Sequence, residues 1–248
     1  MPLIQKSMNF PICIGSRKRV PFPMSKLVSG ANVFVEPQEF EEYRKEHGSL
    51  QKIVKLEKNN GGFAYMCNQQ LAWAKKNKHP YYMFCDDDVF GFSGRASKMV
   101  DLNIFFKEGV SIMKQKGLSQ LMMSFQGHNW FYKGELKSRI GAWCVVINCT
   151  QDLLNVGGYD ESLTIFNDWD VSAKLLLTGR KTACWYEYMF AHKMKSLPGG
   201  AADIYKKREV TLKAAKYMQQ RYGEKVVRIV EAHGQLEPRF RWGVLGKN

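Results

Sequence analysis

The chain lacks the cysteine spacing that marks a metal ribbon or a redox dithiol. Its six cysteines, Cys13, Cys67, Cys85, Cys144, Cys149 and Cys184, contain no C-x-x-C pair, and most sit inside apolar, strand-like runs. That pattern is expected of buried reduced thiols, not of a disulfide framework or a zinc site, and it points to a cytoplasmic setting. No apolar stretch approaches the ~18–20 residues that a membrane helix needs. The best candidate, Ile140 to Cys149, is better read as a buried strand. The N-terminus lacks a basic patch followed by an apolar run, so no secretory signal is expected. There is no internal repeat, no low-complexity tract and no interdomain linker. Acidic residues are scarce, with 23 Asp and Glu against 37 Lys and Arg, for a formal charge of +14.

What is present suits one large α/β domain. The 248 residues, 45% of them hydrophobic, can bury a core without covalent staples. The positive charge is uneven. Lys193 to Asn248 holds thirteen bases and five acids. Such asymmetry suggests a polyanionic partner (nucleic acid, anionic membrane surface or phosphate-rich substrate), against the alternative of a solvated basic face.

Strands are expected at Asn9–Ile14, Asn32–Glu36, Ile53–Leu56, Tyr81–Cys85, Leu121–Phe125, Ala142–Ile147 and Thr182–Ala191. Helices are expected at Gly62–Lys76, Ala96–Lys116, Asp168–Leu177 and Tyr205–Arg221, with Leu236–Trp242 irregular. Strands alternating with helices predict a mostly parallel twisted sheet covered on both faces. The organisation expected is a core over 1–192 and a basic helical segment over 193–248 packed upon it.

Two acidic groups carry chemistry. The strand YYMFC runs straight into Asp86-Asp87-Asp88. Adjacent carboxylates repel one another, so a buried cluster needs a cation or protonation. Extended chain puts Asp86 and Asp88 on one side and Asp87 on the other. The C-terminal edge of a strand is where open α/β sheets bind ligands, and carboxylate oxygens suit Mg²⁺ or Mn²⁺. An exposed acidic turn is the alternative. The second group lies in GGYDESLTIFNDWD, where Asp168 and Asp170 open a helix. Two residues apart on a helix, only one of them can readily face a site, and both could simply be capping acids.

Taken in order, these motifs resemble the GT-A glycosyltransferases: a first strand ending Gly-Ser-Arg, a second ending in an acid, a glycine pair opening a helix, a strand ending in D-x-D, then GGYDES and NDWD. The resemblance covers about Phe10 to Met194. It implies the following assignments. Ser16 and Arg17 would meet the nucleotide, Glu36 the base or ribose, and Gly61, Gly62 and Asn68 would lie beside the donor. Asp86 would contact the ribose or metal-bound water, with Asp87 also among the donor-binding residues. Asp88, with Asp86 and His192, would hold Mn²⁺ or Mg²⁺. Asp168 would be the base that deprotonates an acceptor hydroxyl, with Asp170 as orienter or alternate base, and transfer would invert the sugar carbon. A lone strand histidine such as His192 is as readily a hydrogen-bonded core residue. One departure stands out: Asn167 occupies a place where the family often has Glu. The donor expected from family habit is a UDP-sugar.

Within that group the chain is similar to the small phage enzymes that glycosylate 5-hydroxymethylpyrimidines in DNA, the TET-associated glycosyltransferases. DNA carrying 5-hydroxymethylcytosine is therefore the expected acceptor. His128 and Trp130, in the run HNWF, and Arg239 and Arg241 are candidate acceptor contacts, the arginines tracking phosphates beside stacking aromatics. Ordinary packing of the loop aromatics is the alternative. Three further readings stay open: transfer to a cell-surface glycan or glycolipid, a non-catalytic nucleic-acid-binding domain, and a metal-dependent phosphohydrolase.

Overall fold

A computed structural model describes residues 8–94, 100–125, 136–138, 144–192, 204, 207–232 and 234–245. The sequence of its first strands already contains two faces. In β1 (Ile12–Gly15), β2 (Asn32–Val35) and β4 (Tyr81–Asp86), alternate residues enter different cores. Ile12, Ile14, Val33, Val35, Met83 and Cys85 share one buried cluster, while Cys13, Phe34, Tyr82 and Phe84 belong to a second. This is the period of two that pleated chain imposes. Both faces are apolar because both are covered, which is why these strands read as continuous hydrophobic runs.

The main sheet has the order β3-β2-β1-β4-β8-β6-β9-β5, with β3 at Lys52–Lys55, β5 at Val89–Gly94, β6 at Leu118–Phe125, β8 at Val145–Cys149 and β9 at Lys181–His192. β7 (Leu136–Ser138) pairs with β9 outside that path. β3, β2, β1, β4, β6 and β9 run one way, while β8 and β5 run against them, so the sheet is mostly parallel, as expected. Helices α1 (Phe40–His47) and α3 (Leu102–Lys116) cover the first face through Tyr43, Leu102, Phe105 and Met113. α2 (Gly62–Lys76), α4 (Thr150–Asn155) and α5 (Asn167–Leu177) cover the second through Cys67, Leu71, Leu153, Val171 and Leu175. Phe105 is fully buried, and its truncation to Ala is expected to cost about 3–5 kcal/mol.

α6 (Arg208–Tyr222) is followed by an antiparallel hairpin, β10 (Val227–Ala232) and β11 (Gln235–Phe240), and by the short α7 (Trp242–Leu245). Ala214 and Met218 of α6, Val227 and Phe240 pack on Leu163, Ile165, Phe166 and Ala173 in a third core cluster. The C-terminal segment thus rests on the same helix, α5, that carries Asp168.

Several expectations need correcting. Leu236–Trp242 is not irregular: Pro238 and the interspersed charges hide a hairpin strand that is paired along its whole length with β10. Among the described residues beyond 192, a helix, a hairpin and a short terminal helix stand where a helical segment was expected. α3 begins at Leu102 rather than Ala96, because the Asp101 carboxylate accepts the Asn103 N–H and caps the helix there; residues 95–99 lie outside the described part. β5 was not anticipated at all. It turns back from the acidic triplet to pair with β9, and Val89 stands opposite His192.

Candidate active site

Parallel pairing brings the ends of the central strands to one edge. Gly15 of β1 is in register with Phe34 of β2 and Asp86 of β4. A Cβ on Gly15 would fall 1.6 Å from the Met66 sulfur, so the absent side chain leaves the space that this flexible thioether of α2 fills. Ser16 and Glu36 follow immediately and are buried.

Asp87 points back into the protein. Its Oδ2 accepts the Ser16 hydroxyl at 2.5 Å, Ser16 shares a 2.8 Å hydrogen bond with the Tyr43 hydroxyl, and Arg19 pairs with Oδ1. Burial pushes the Asp87 carboxyl up to about 6, even against the pull of Arg19. Asp87 therefore braces the loop after β1. Arg19 is a residue that sequence reasoning missed; the only signal for it was the basic run Arg17-Lys18-Arg19.

Glu36 organises the neighbouring loop. Its two carboxylate oxygens accept the Asn60 N–H at 2.8 Å and the Gln38 amide at 2.9 Å. Arg17 lies 3.5 Å from Glu36 and donates to the Asn60 side chain at 2.5 Å. Gly61 caps α2 and Gly62 starts it with φ of 83°, a left-handed turn that glycine tolerates. Asn68 uses its amide elsewhere: Nδ2 donates to the Tyr159 carbonyl at 2.9 Å and to Glu161 at 3.0 Å, while Oδ1 accepts the Tyr159 N–H at 2.8 Å. It clamps the GGYDES turn onto α2. Gly158, at φ 65°, is pressed so close that a Cβ would sit 2.6 Å from Asn68 Oδ1.

Asp86 and Asp88 flank a potential cation site. Burial first, and then the charge of Asp88, pushes the Asp86 carboxyl well above the usual range. Asp88 Oδ2 lies 3.6 Å from Arg19, while its Oδ1 is buried with no hydrogen-bond partner. Single donor atoms of Asp88, Cys144 and His192 all lie within 4.8 Å of one another. An oxygen, a sulfur and an imidazole nitrogen at this separation, one of the carboxylate oxygens being orphaned, fit a divalent metal ion. Burial holds His192 below its usual pKa, which favours the neutral, ligating form, although Asp88 pulls the other way. The rings of Phe125 and Phe190 flank it at 4.9 and 5.4 Å. Cys144 lies within reach of Asp88 and His192, a meeting that residue spacing could not show, because the three come from three separate segments.

Asp168 occupies the first turn of α5. Burial raises its carboxyl to about 7, although its own N–H and that of Trp169 favour the charged form. Cys67 and Tyr159, both buried, feel the charges of both Asp86 and Asp168, so the two carboxylates border one cluster. Asp170 is on the other side of the helix and fully buried. Its partners are Lys174 at 3.0 Å and the Tyr222 hydroxyl at 2.6 Å, with Arg221 3.5 Å away. The amide of Asn167 donates to the carbonyls of Asp160 at 3.1 Å and Leu163 at 2.7 Å. A glutamate, being acceptor-only when ionised, could not make these bonds, which accounts for the departure from the family pattern. Lys18, Asn60 and Phe166, with φ of 54°, 54° and 62°, are three of the four described non-glycine residues in the left-handed region, and all three adjoin this site.

Arg239 and Arg241 are exposed on and just after β11. His128 and Trp130 lie outside the described residues.

No protein-family model and no curated relative matches the chain. Solved structures do. S. aureus TarS 1-349 in complex with UDP-GlcNAc superposes with a TM-score of 0.51 at 14% identity, over 88% of this chain and 74% of that one. The mannosyltransferase PcManGT from Pyrobaculum calidifontis, in complex with GDP-Man and Mn²⁺, gives 0.56 at 11% identity, over 88% and 67%. GalNAc-T7 with UDP, GalNAc and Mn²⁺ gives 0.50 at 11%, over 74% of this chain and 44% of that one. At these identities the likeness establishes the fold, which is that of the GT-A glycosyltransferases.

Proposed function

We propose that the protein is a metal-dependent glycosyltransferase that moves a sugar from a nucleotide-sugar donor to a hydroxyl acceptor. The observation that carries this reading is the meeting of Asp88 and His192 at the edge of the sheet where β4 ends, with Asp86 of the same triplet and Asp168 both bordering the buried Cys67 and Tyr159. Asp88 and His192, with Asp86 beside them, would hold Mn²⁺ or Mg²⁺. When bound, that ion neutralises charge on the departing diphosphate. The neighbours bound to UDP-GlcNAc and to GDP-Man with Mn²⁺ support a nucleotide-sugar donor, and a UDP-sugar is the form proposed here.

The chain's own groups account for the rest. The segment from Ser16 to Arg19 and the Glu36–Asn60 pair form the loops against which the nucleotide would rest. Asp168 takes the acceptor hydroxyl proton on its carboxylate. The acceptor oxygen then bonds to the sugar carbon as the bond from that carbon to the diphosphate oxygen breaks. Attack opposite the leaving group inverts the carbon. A base with a pKa of about 7 is well placed to accept that proton near neutrality.

The acceptor proposed is the hydroxymethyl group of a modified pyrimidine in DNA. Its support is the +14 charge and the exposed bases Lys213, Lys216, Lys225, Arg228, Arg239 and Arg241 of the C-terminal segment. The base would have to leave the stack to reach Asp168. None of the described helices is long and apolar enough to cross a membrane.

Incubation with Mn²⁺ and a panel of nucleotide sugars should release nucleoside diphosphate slowly. Cleavage within the diphosphate would replace the transferase with a phosphohydrolase. Mass spectrometry of hydroxymethylcytosine DNA, after incubation with a sugar-nucleotide mixture, should show hexose or pentose added to the base. Unmodified DNA in a reaction that still releases diphosphate would discard the DNA acceptor and leave the transferase. DNA affinity should fall by about tenfold or more per doubling of salt if several phosphates are contacted; no change with salt would also remove DNA.

A further inference from the structure

We propose that Cys144 is a metal ligand of this site and that its sulfur sets which cation the protein prefers. The inference rests on the reading of Asp88 and His192 as metal ligands, and goes beyond it by adding a soft donor to a shell otherwise built of oxygen and nitrogen.

The sheet places Cys144 there. β8 runs against β4, with Val145 opposite Cys85, so Cys144 comes level with Asp86 and its carbonyl accepts the Asp86 N–H at 2.8 Å. The turn into β5 then carries Asp88 past that point, and the pairing of Val89 with His192 brings the imidazole alongside. The turn after β4, the residue before β8 and the end of β9 deliver three different donor atoms to one spot, within 4.8 Å of one another. Ligands bound to one ion at ~2.0–2.3 Å lie roughly 3–4 Å apart, so small side-chain rotations close the site. Arg19 approaches Asp88 at Oδ2, 3.6 Å away, and Oδ1 is buried without a hydrogen bond. Cys144 has no disulfide partner and is half-buried. The aromatic rings around His192 make the site drier than a surface acid cluster.

Coordination converts the thiol to a thiolate, with the sulfur lone pair forming the bond to the metal and the proton leaving to solvent. Thiolate bonds strengthen from Mn²⁺ through Co²⁺ to Zn²⁺ and Cd²⁺, whereas Mg²⁺ rejects sulfur. The site should therefore take Mn²⁺ and softer ions and discriminate against Mg²⁺.

The test uses the full chain and cobalt(II), alone and with uridine or guanosine diphosphate. Equilibrium dialysis counts the bound ion, and absorption looks for a thiolate-to-cobalt charge-transfer band in the near ultraviolet. We expect bound cobalt with that band, its loss in Cys144→Ser, and its retention in Cys149→Ser, a control on the same strand. Cys144→Ser should also lower the preference for Cd²⁺ over Mg²⁺ by about tenfold or more. Bound cobalt without the band, or a band that survives Cys144→Ser, overturns the role of Cys144 and leaves the transferase reading standing. No bound cobalt under any condition overturns both. Should Cys144→Ser not fold, cadmium NMR of the unaltered protein decides: a shift typical of sulfur ligation supports the proposal, and one typical of oxygen and nitrogen alone refutes it.

Discussion

Asp160 and Asp168 stand at the two ends of one loop, yet their surroundings drive them in opposite directions. Burial alone would raise Asp160, but hydrogen bonds from Ser162, Tyr217 and Arg221 outweigh it and hold the carboxyl at about 2. Asp168 is half-buried, with two backbone N–H groups for company, and desolvation raises it to about 7. The first is a well-paired anchor between the GGYDES turn and α6. The second is a carboxyl kept short of partners, at the price of some stability. Perturbed, under-paired groups bordering a cleft mark chemistry, and saturated ones mark architecture. In the triplet the contrast is one of partners alone: burial raises both Asp86 and Asp87, but Asp87 is held between Ser16 and Arg19.

The largest effect should come from the metal edge. Asp88→Ala is expected to reduce Mn²⁺-stimulated donor turnover by about a thousandfold or more, with far-ultraviolet circular dichroism unchanged. Near-normal turnover in that variant would remove Asp88 from the site.

Asp168→Asn should lower transfer by ~10²–10⁴-fold, the usual contribution of a general base. It should also stabilise the protein in alkali. The folded chain holds the Asp168 proton more tightly than the unfolded one does. Its contribution to stability is therefore present at low pH and lost as pH rises from the ordinary carboxylate range through about 7. The amide escapes that loss, so the variant's melting temperature should exceed that of the parent at pH 8 and match it more closely at pH 5. Activity of the parent should do the reverse and rise with pH through about 7. A melting temperature lowered at both pH values would mean that Asp168 is a structural partner like Asp160.

Tyr222→Phe takes a donor from the buried Asp170 carboxylate. An unsatisfied buried acceptor costs about 1–3 kcal/mol, or roughly 2–4 °C of melting temperature per kcal/mol in a chain of this size. The loss should be one of stability first, with transfer falling only modestly. A large fall in transfer at an unchanged melting temperature would instead place Tyr222 in the chemistry.

The smallest effect on transfer is expected from Asp160→Asn, which removes the charge paired with Arg221 and so lowers the melting temperature at neutral pH. That difference should shrink in acid. Asp160, being depressed, stabilises the fold above the ordinary carboxylate range and loses that contribution as pH falls towards 2. Acid unfolding of the variant should be shallower over that interval, and curves that superpose would deny Asp160 its anchoring part.

Much of this was legible in the sequence. α2 was placed at Gly62–Lys76, the bounds it has in the structure, because its apolar spacing is regular and its lysines close the last turn. β1, β2 and β4 are visible as apolar runs, and β3 only weakly, because KIVK carries a lysine at each end. β5 was not, because VFGFSG carries two glycines and follows directly on a motif that already explained its neighbours. Pro238 hid β11 in the same way. Of the chemistry, residue type alone marked the triplet and the NDWD segment. It could not divide Asp86, Asp87 and Asp88 among their tasks, since that depends on where Arg19 and Ser16 arrive from. Nor could it find Cys144, whose partners are distant in the chain and meet only through the reversed direction of β8.

Lys18, Asn60 and Phe166 hold left-handed backbone around the cleft, a conformation that costs non-glycine residues on the order of 1–3 kcal/mol each. Selection for heat resistance alone would therefore favour glycine at Lys18 and Asn60. At Asn60 that relief would delete the side chain that accepts from Arg17 and loosen the loop whose N–H reaches Glu36. The molecule has a built-in conflict between endurance and a rigid loop at this edge of the sheet, and directed evolution for one should be expected to erode the other.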